Sequence, residues 1–147
     1  MTRKNFWMGT VAAGLFLLTL ILSGNGVPQE TGKYDDAKAV LGKLAAALES
    51  FIENMEAAEG AEAIAECLDG FTASMSELVP GLNEIREKYP ELKDESTHPE
   101  ELKPLLQRVN KDFAGMMKAY RKVKENLRDA AVKESDDRYE EVMARLK

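Results

Sequence analysis

The sequence has little of the chemistry from which most enzyme and metal sites are built. Its 147 residues include one cysteine and one histidine. A single cysteine excludes an intramolecular disulfide and a cysteine-based zinc site, and no Gly-rich phosphate loop, Gly-x-Ser-x-Gly or His-Glu-x-x-His motif occurs. The excess of 26 acidic over 20 basic residues argues against nucleic acid as a partner, because phosphate binding requires a basic surface. We therefore expect that the protein is not an enzyme, that it binds no cofactor and that it has no metal site.

Charge is absent from a long stretch near the N-terminus. After Arg3 and Lys4 the next charged residue is Glu30, and residues 6–22 form an apolar run, FWMGTVAAGLFLLTLIL. A helix of that length covers about 26 Å, slightly less than a bilayer core of about 30 Å, yet the run is long for a cleaved signal peptide. Residues 1–23 are thus predicted to be a signal peptide or a signal-anchor transmembrane helix. Both interpretations export the rest of the chain, because the positive charges precede the run.

The segment after the apolar run separates the two interpretations. It contains small residues that suit signal peptidase, so cleavage is expected near Gly24 or Gly26 if it occurs. Cleavage would release a soluble periplasmic or secreted protein. Without cleavage, which the length of the run slightly favours, residues 6–22 would hold the protein in the inner membrane with its domain facing the periplasm. Residues 24–33, rich in Gly, Pro and polar residues, are predicted to be a flexible tether.

From residue 34 onwards, apolar residues recur at steps of three and four, the period of an amphipathic helix. The first helix is expected to start near Tyr34 or Asp35 and to end before Gly60. The second is expected to run from about residue 61 to residue 88 as one helix kinked at Pro80, because the apolar stripe keeps its phase across this proline. No segment alternates with a period of two. The fold predicted for residues 34–147 is therefore an all-α, antiparallel bundle of three to four helices.

The remaining helices follow a polar loop. Thr97 and Glu100 fit a capping box for the third helix, although Pro104 is an alternative start. The third stripe includes Phe113 and Met116. Near residue 130 the phase slips, so the last helix either begins with Ser135 as its N-cap or continues the third helix.

Four residues are candidates for a functional role. Cys67 lies beside the stripe of the second helix, where it is either a small buried hydrophobic residue or the thiol of an intermolecular disulfide. Tyr139 and Val142, on the short last helix, are candidates for an exposed contact face that binds another protein. His98 completes a Glu-x-x-His sequence like those of di-iron bundles, but the motif occurs once and in a loop, so a metal site is not expected.

The order of helix, Gly turn, helix, the loop YPELKDESTHPEEL and a third helix resembles the periplasmic cytochrome b562 family across roughly residues 34–147. The resemblance implies an exported four-helix bundle. In that family a Met near the start of the first helix and a His near the end of the last helix hold haem. Here the Met position falls on Leu44 or Ala45, and residues 135–147 contain no His. The resemblance therefore supports the fold and the compartment and argues against haem.

The function expected from the sequence is that of a non-enzymatic protein of the cell envelope that binds a protein partner. One alternative is a ligand or cofactor carrier of the b562 type that uses unconventional ligands such as Met116 or Cys67. Another is a periplasmic chaperone, although the Leu-Thr-x-x-Gln repeats typical of one such family are absent. The 18 basic and 26 acidic residues that follow Lys4 give an acidic domain, which we expect anionic lipid to repel.

Overall fold

The computed structural model describes residues 32–146, and all regular secondary structure in this part of the chain is helical. The all-α prediction is therefore confirmed there. The predicted signal or anchor segment, residues 1–23, and nearly all of the predicted tether lie outside the described residues. None of the helices within residues 32–146 is both long enough and apolar enough to cross a bilayer.

The first two helices have the bounds that the sequence predicts. α1 spans Asp35–Ala57 and α2 spans Gly60–Lys88. Two acidic residues in the first turn of α1 stabilise the positive end of its dipole. Gly60, at the turn, has a φ of +83°, a left-handed conformation that glycine adopts without strain. Pro80 lies exposed within α2, so the prediction of one helix is confirmed.

The connection to the third helix differs from the prediction. Two 3-10 turns, Pro90–Lys93 and Glu95–Thr97, precede α3, which spans Lys103–Ala119. The capping box does not form, because the Thr97 hydroxyl donates to the carbonyl oxygens of Glu91 and Asp94 instead. Pro104 lies in the first turn of α3, where its missing N–H costs no hydrogen bond.

The last part of the chain forms a short helix, α4 (Arg121–Glu125), and a longer one, α5 (Ala130–Met143). The prediction that Ser135 caps the last helix is wrong. Asp129 is the N-cap, and its carboxylate accepts hydrogen bonds from the backbone N–H groups of Ala131 and Val132 at 2.9 and 3.4 Å. Ser135 lies fully buried within α5.

α1 and α2 run antiparallel, as predicted. The Tyr34 and Tyr89 rings lie with their centroids 4.9 Å apart at one end of the pair. Nearer the turn, the Phe51 and Phe71 rings lie 4.6 Å apart.

The other two packed pairs are parallel, so the prediction of an antiparallel bundle is wrong for them. α3 lies beside α1 in the same direction, since Lys38 binds Glu101 near their starts and Ile52 lies against Gly115 further along. α5 lies beside α2 in the same direction, because the contacts between the two helices advance together along both. These contacts join Asp69 to Arg138, Phe71 to Tyr139 and Asn83 to Arg145. The long connection over residues 89–102 explains the arrangement, because it carries the chain past the start of α1 to the far side of that helix.

The four long helices therefore stand in the order α3, α1, α2, α5 around the bundle. α1 packs closely on α2 and α3, and α2 packs closely on α5, whereas the edge between α3 and α5 is the least closely packed of the four. The main core lies between the helices and is centred on Leu48, Phe51, Leu68 and Val132. A smaller apolar cluster, which includes Tyr34 and Leu102, closes the end at which the described chain begins.

Candidate functional site

The residues singled out from the sequence do not come together in the structure. Cys67 is 4% exposed, and its thiol lies 3.8 Å from the Phe51 carbonyl oxygen. Burial raises the pKa of this thiol to about 12. In the folded structure Cys67 is therefore not placed to meet a second thiol. His98 lies in the connection before α3, where its Nε2 is 3.2 Å from the Leu92 carbonyl oxygen.

Tyr139 and Val142 are buried rather than exposed, since only 9% and 7% of their surface is accessible to solvent. The Tyr139 ring lies 5.8 Å from the Phe71 ring of α2 and 5.4 Å from the Tyr120 ring at the end of α3. These residues hold α5 against the bundle, so the predicted contact face on the last helix is not exposed. The prediction failed because α5 packs its apolar side on α2.

The exposed apolar surface lies on α3 instead. Phe113 and Met117 are 47% and 51% exposed, and they are the large hydrophobic residues with the most exposure within residues 32–146. They are one helical turn apart, so they lie on the same side of α3. Leu106, about two turns before Phe113, is half-buried on this side. We call these three residues the apolar strip.

Positive charge borders the apolar strip on α3 and α4. Residues 103–125 contain seven basic and two acidic residues, in a chain whose net charge is −6. The one acidic residue of α3, Asp112, is buried, with its Oδ2 3.8 Å from the Arg108 Nε. Three exposed cations here have no carboxylate partner within residues 32–146, and we call them the basic rim: Lys111, Lys118 and Arg121. Of these, Arg121 lies one turn after Met117 on the side of the apolar strip, whereas Lys111 and Lys118 point to other sides of α3.

Negative charge borders the strip on its other side, along α5. Lys124 binds Asp136 at 2.8 Å and Glu140 at 3.4 Å, so the α5 side chains that point towards α3 and α4 include Glu140. Asp137 lies further out on α5, where it is paired with Lys133 at 2.6 Å, and both Asp137 and Glu140 are mostly exposed. We call Asp137 and Glu140 the acidic rim, and the strip with its two rims the α3/α5 face.

A polar cluster around the buried Asp136 joins the helices beside this face. Asp136 is 4% exposed; its carboxylate accepts hydrogen bonds from the Tyr120 hydroxyl and the Lys124 ammonium. Burial and the hydrogen bond to Asp136 raise the pKa of Tyr120, and the hydrogen bond to Asp136 raises the pKa of Lys124. The cluster ties the end of α3 to α5.

Within residues 32–146 the structure has no group of three or more His, Cys, Asp or Glu side chains that could hold a metal ion. The unconventional ligands considered for a carrier, Met116 and Cys67, are both buried in the main apolar core. Leu44 and Ala45, at the position of the haem-binding Met, are apolar residues of α1 that are half-buried and buried. The large hydrophobic side chains that this part of the chain exposes are Phe113 and Met117 of α3.

Comparison with known proteins identifies no relative, since no family model, no curated protein and no solved structure matches the chain. The resemblance to the cytochrome b562 family therefore stays a prediction.

Proposed function

We propose that this chain is an exported helical-bundle protein, held at the envelope membrane by residues 6–22, that acts by binding another protein and not by catalysis. The observation that carries the proposal is the α3/α5 face. It places the most exposed large hydrophobic side chains of the described chain, Phe113 and Met117, on the same side as the unpaired cation Arg121.

The composition of the face supports a binding role. Aromatic residues, Met and Arg are enriched in protein interfaces, and the face presents one of each in Phe113, Met117 and Arg121. Exposed apolar groups that follow one side of a helix suit contact with a second helix. The rims would fix the orientation of the partner, because charged groups around an apolar centre contribute more to specificity than to affinity.

The reactive side chains within residues 32–146 also support a role other than catalysis. The histidine contacts a loop carbonyl, the cysteine is buried, and the Tyr120–Asp136–Lys124 cluster is used to join helices. None of these groups faces an exposed cleft as a nucleophile paired with a base, the arrangement that covalent catalysis requires.

In-cell photo-crosslinking of the full chain tests the binding role. A photoreactive amino acid replaces Phe113 or Met117 in turn, and matched control positions are Lys43 on α1 and Glu77 on α2, both exposed. We expect protein adducts of higher mass from positions 113 and 117 and not from the controls. Equal labelling at all four positions, or none at 113 and 117, would contradict the proposal.

Intact mass measurement on the envelope fractions tests the anchoring. A full-length mass in the membrane fraction supports retention of residues 6–22. A mass that begins near Asn25 or Val27 in the soluble fraction would show cleavage and would overturn the anchored form of the proposal.

A further inference from the structure

We infer that α3 is a lid on the main core: it opens between two buried anchor residues while the rest of the bundle stays folded. The opening uncovers apolar surface of α1 that α3 covers in this structure. The inference goes beyond the proposed function, because it concerns a movement of α3 that takes place with or without a partner, and its experiments do not depend on partner binding.

α3 contributes little buried apolar surface to the bundle. Met116 is the one apolar residue buried within α3, whereas α1 buries six and α5, which is shorter, buries three. Burial of an apolar side against the rest of the fold is what holds most helices in place, so α3 is held weakly along its length. The other large apolar side chains of α3 are half-buried or exposed: Leu105, Leu106, Val109, Phe113 and Met117.

The buried side of α3 also carries an unsatisfied carboxylate. Asp112 is buried, and its Oδ2 accepts no hydrogen bond from any group within residues 32–146. The Arg108 Nε lies 3.8 Å from this oxygen, beyond hydrogen-bond distance, and the Arg108 guanidinium donates to Glu49 of α1. A buried polar atom without a partner costs free energy that water recovers once the atom is exposed. Asp112 therefore favours the open position of α3.

The ion pairs that join α3 and the residues just before it to α1 are accessible to solvent. Arg108 binds Glu49 at 2.7 Å, and Glu101 binds Lys38 at 2.6 Å, with all four side chains well exposed. Exposed ion pairs contribute little to stability, because water screens the charges and the long side chains lose conformational freedom. These pairs orient α3 on α1 but hold it there only weakly.

Fully buried residues attach the chain at both ends of α3. Leu102, directly before α3, lies in the smaller apolar cluster, and Val123 of α4 lies in the main core. Lys122 adds a polar attachment, since its ammonium donates to the carbonyl oxygens of Met55 and Ala58, just at and after the end of α1, at 2.9 and 2.6 Å. The chain between Leu102 and Val123 is therefore fixed at two points, and an opening of α3 stays local.

The loosely packed edge towards α5 leaves room for the movement. On the opposite side α3 lies directly on α1, where a Cβ added to Gly115 would stand 2.8 Å from the Ile52 Cδ1. Separation of the two helices exposes Ile52 and the adjoining core around Leu48 and Met116. The apolar strip then continues into this surface, so the accessible apolar area increases when the lid opens.

Backbone hydrogen exchange of the unmodified full chain in neutral detergent, read by mass spectrometry, tests the inference. Openings within one protein range in free energy from near zero up to that of global unfolding. We expect the amides of α3 to exchange as a group, more than about tenfold faster than those of α1 and α2, with little dependence on urea below the unfolding transition. Equal protection of the three helices, with the same dependence on urea, would overturn the inference.

A reversible staple distinguishes separation of α3 from fraying of the helix in place. Ile52→Cys and Gly115→Cys place two thiols in contact across α1 and α3, and Ile52→Cys removes the atom that a new Cβ at position 115 would meet. The same protein is compared in its oxidised and reduced forms. We expect the disulfide to slow exchange in α3 by more than about tenfold and reduction to restore it. Exchange in α3 that the disulfide leaves unchanged would overturn the lid.

Removal of the unsatisfied carboxylate tests the part assigned to Asp112. Asp112→Ala is expected to slow exchange in α3 about fivefold or more and to leave exchange in α2 unchanged, because the closed position no longer buries an unpaired oxygen. Asn110→Ala is the matched control, since it makes a similar gain in helix propensity at an exposed position of the same helix. Equal slowing by the two variants, or faster exchange in Asp112→Ala, would overturn this part of the inference.

Discussion

Two adjacent methionines in α3 test which side of this helix is buried. Met116 is 2% exposed and belongs to the main core, whereas Met117 is 51% exposed. Truncation of a buried Met to Ala removes its packing and leaves a cavity, at a cost of about 2–5 kcal/mol. Surface substitutions change stability by about 0.5 kcal/mol or less. We therefore expect Met116→Ala to lower the free energy of unfolding by about 3 kcal/mol and Met117→Ala to leave it nearly unchanged.

Urea unfolding followed by far-UV circular dichroism measures the difference. For a domain of this size the free energy falls by about 1.5 kcal/mol per molar urea, so Met116→Ala should lower the midpoint by about 2 M. The midpoint of Met117→Ala should stay within about 0.3 M of the wild type. The measurement uses dilute protein in neutral detergent. Equal shifts for the two variants, or a larger shift for Met117→Ala, would refute the placement of α3.

Three further predictions concern buried and paired polar groups. Asp136→Ala is expected to cost about 1–3 kcal/mol, because it leaves the half-buried Tyr120 hydroxyl without its acceptor and removes the ion pair with Lys124. Asp137→Ala should cost less than about 0.5 kcal/mol, and thermal unfolding of the two variants measures the difference. Because Cys67 is buried, we expect about a thousandfold less thiolate at this position in the folded chain than in the unfolded chain at pH 8. Alkylation rates with and without urea measure the difference, and equal rates would contradict the burial. Hydrogen bonds from Lys88 and then Tyr89 lower the pKa of Asp36 to about 2, so its stabilisation is complete above about pH 4 and is lost as the pH falls through 2. The stability difference between wild type and Asp36→Asn should therefore shrink between pH 4 and pH 2, and a constant difference would count against the pairing.

The helices were predictable from the sequence where the signal is local. α1 and α2 each follow one apolar stripe that ends at a glycine or before a proline, so their bounds depend on neighbouring residues only. The start of α5 was not predictable in the same way. Ser135 and Asp129 each offer a side-chain oxygen as an N-cap, and the choice depends on burial of Val132 against the core, which is a tertiary contact.

The neighbours of each helix were not predictable, because periodicity identifies a buried side but not the helix that covers it. The path of residues 89–102 places α3 beside α1, and α5 then takes the remaining side of α2. The same limit explains the candidate site. Phe113 fits the period of the third stripe, but the loosely packed edge between α3 and α5 leaves it exposed, whereas Tyr139 is covered by α2.

The net charge of the chain does not describe the local charge of α3. Overall acidity led to the expectation that anionic surfaces are repelled, yet within α3 the single carboxylate is buried and the exposed charges are positive. At physiological ionic strength, charges separated by more than about 8 Å are largely screened, so a docked partner interacts with the rims and not with the sum over the chain.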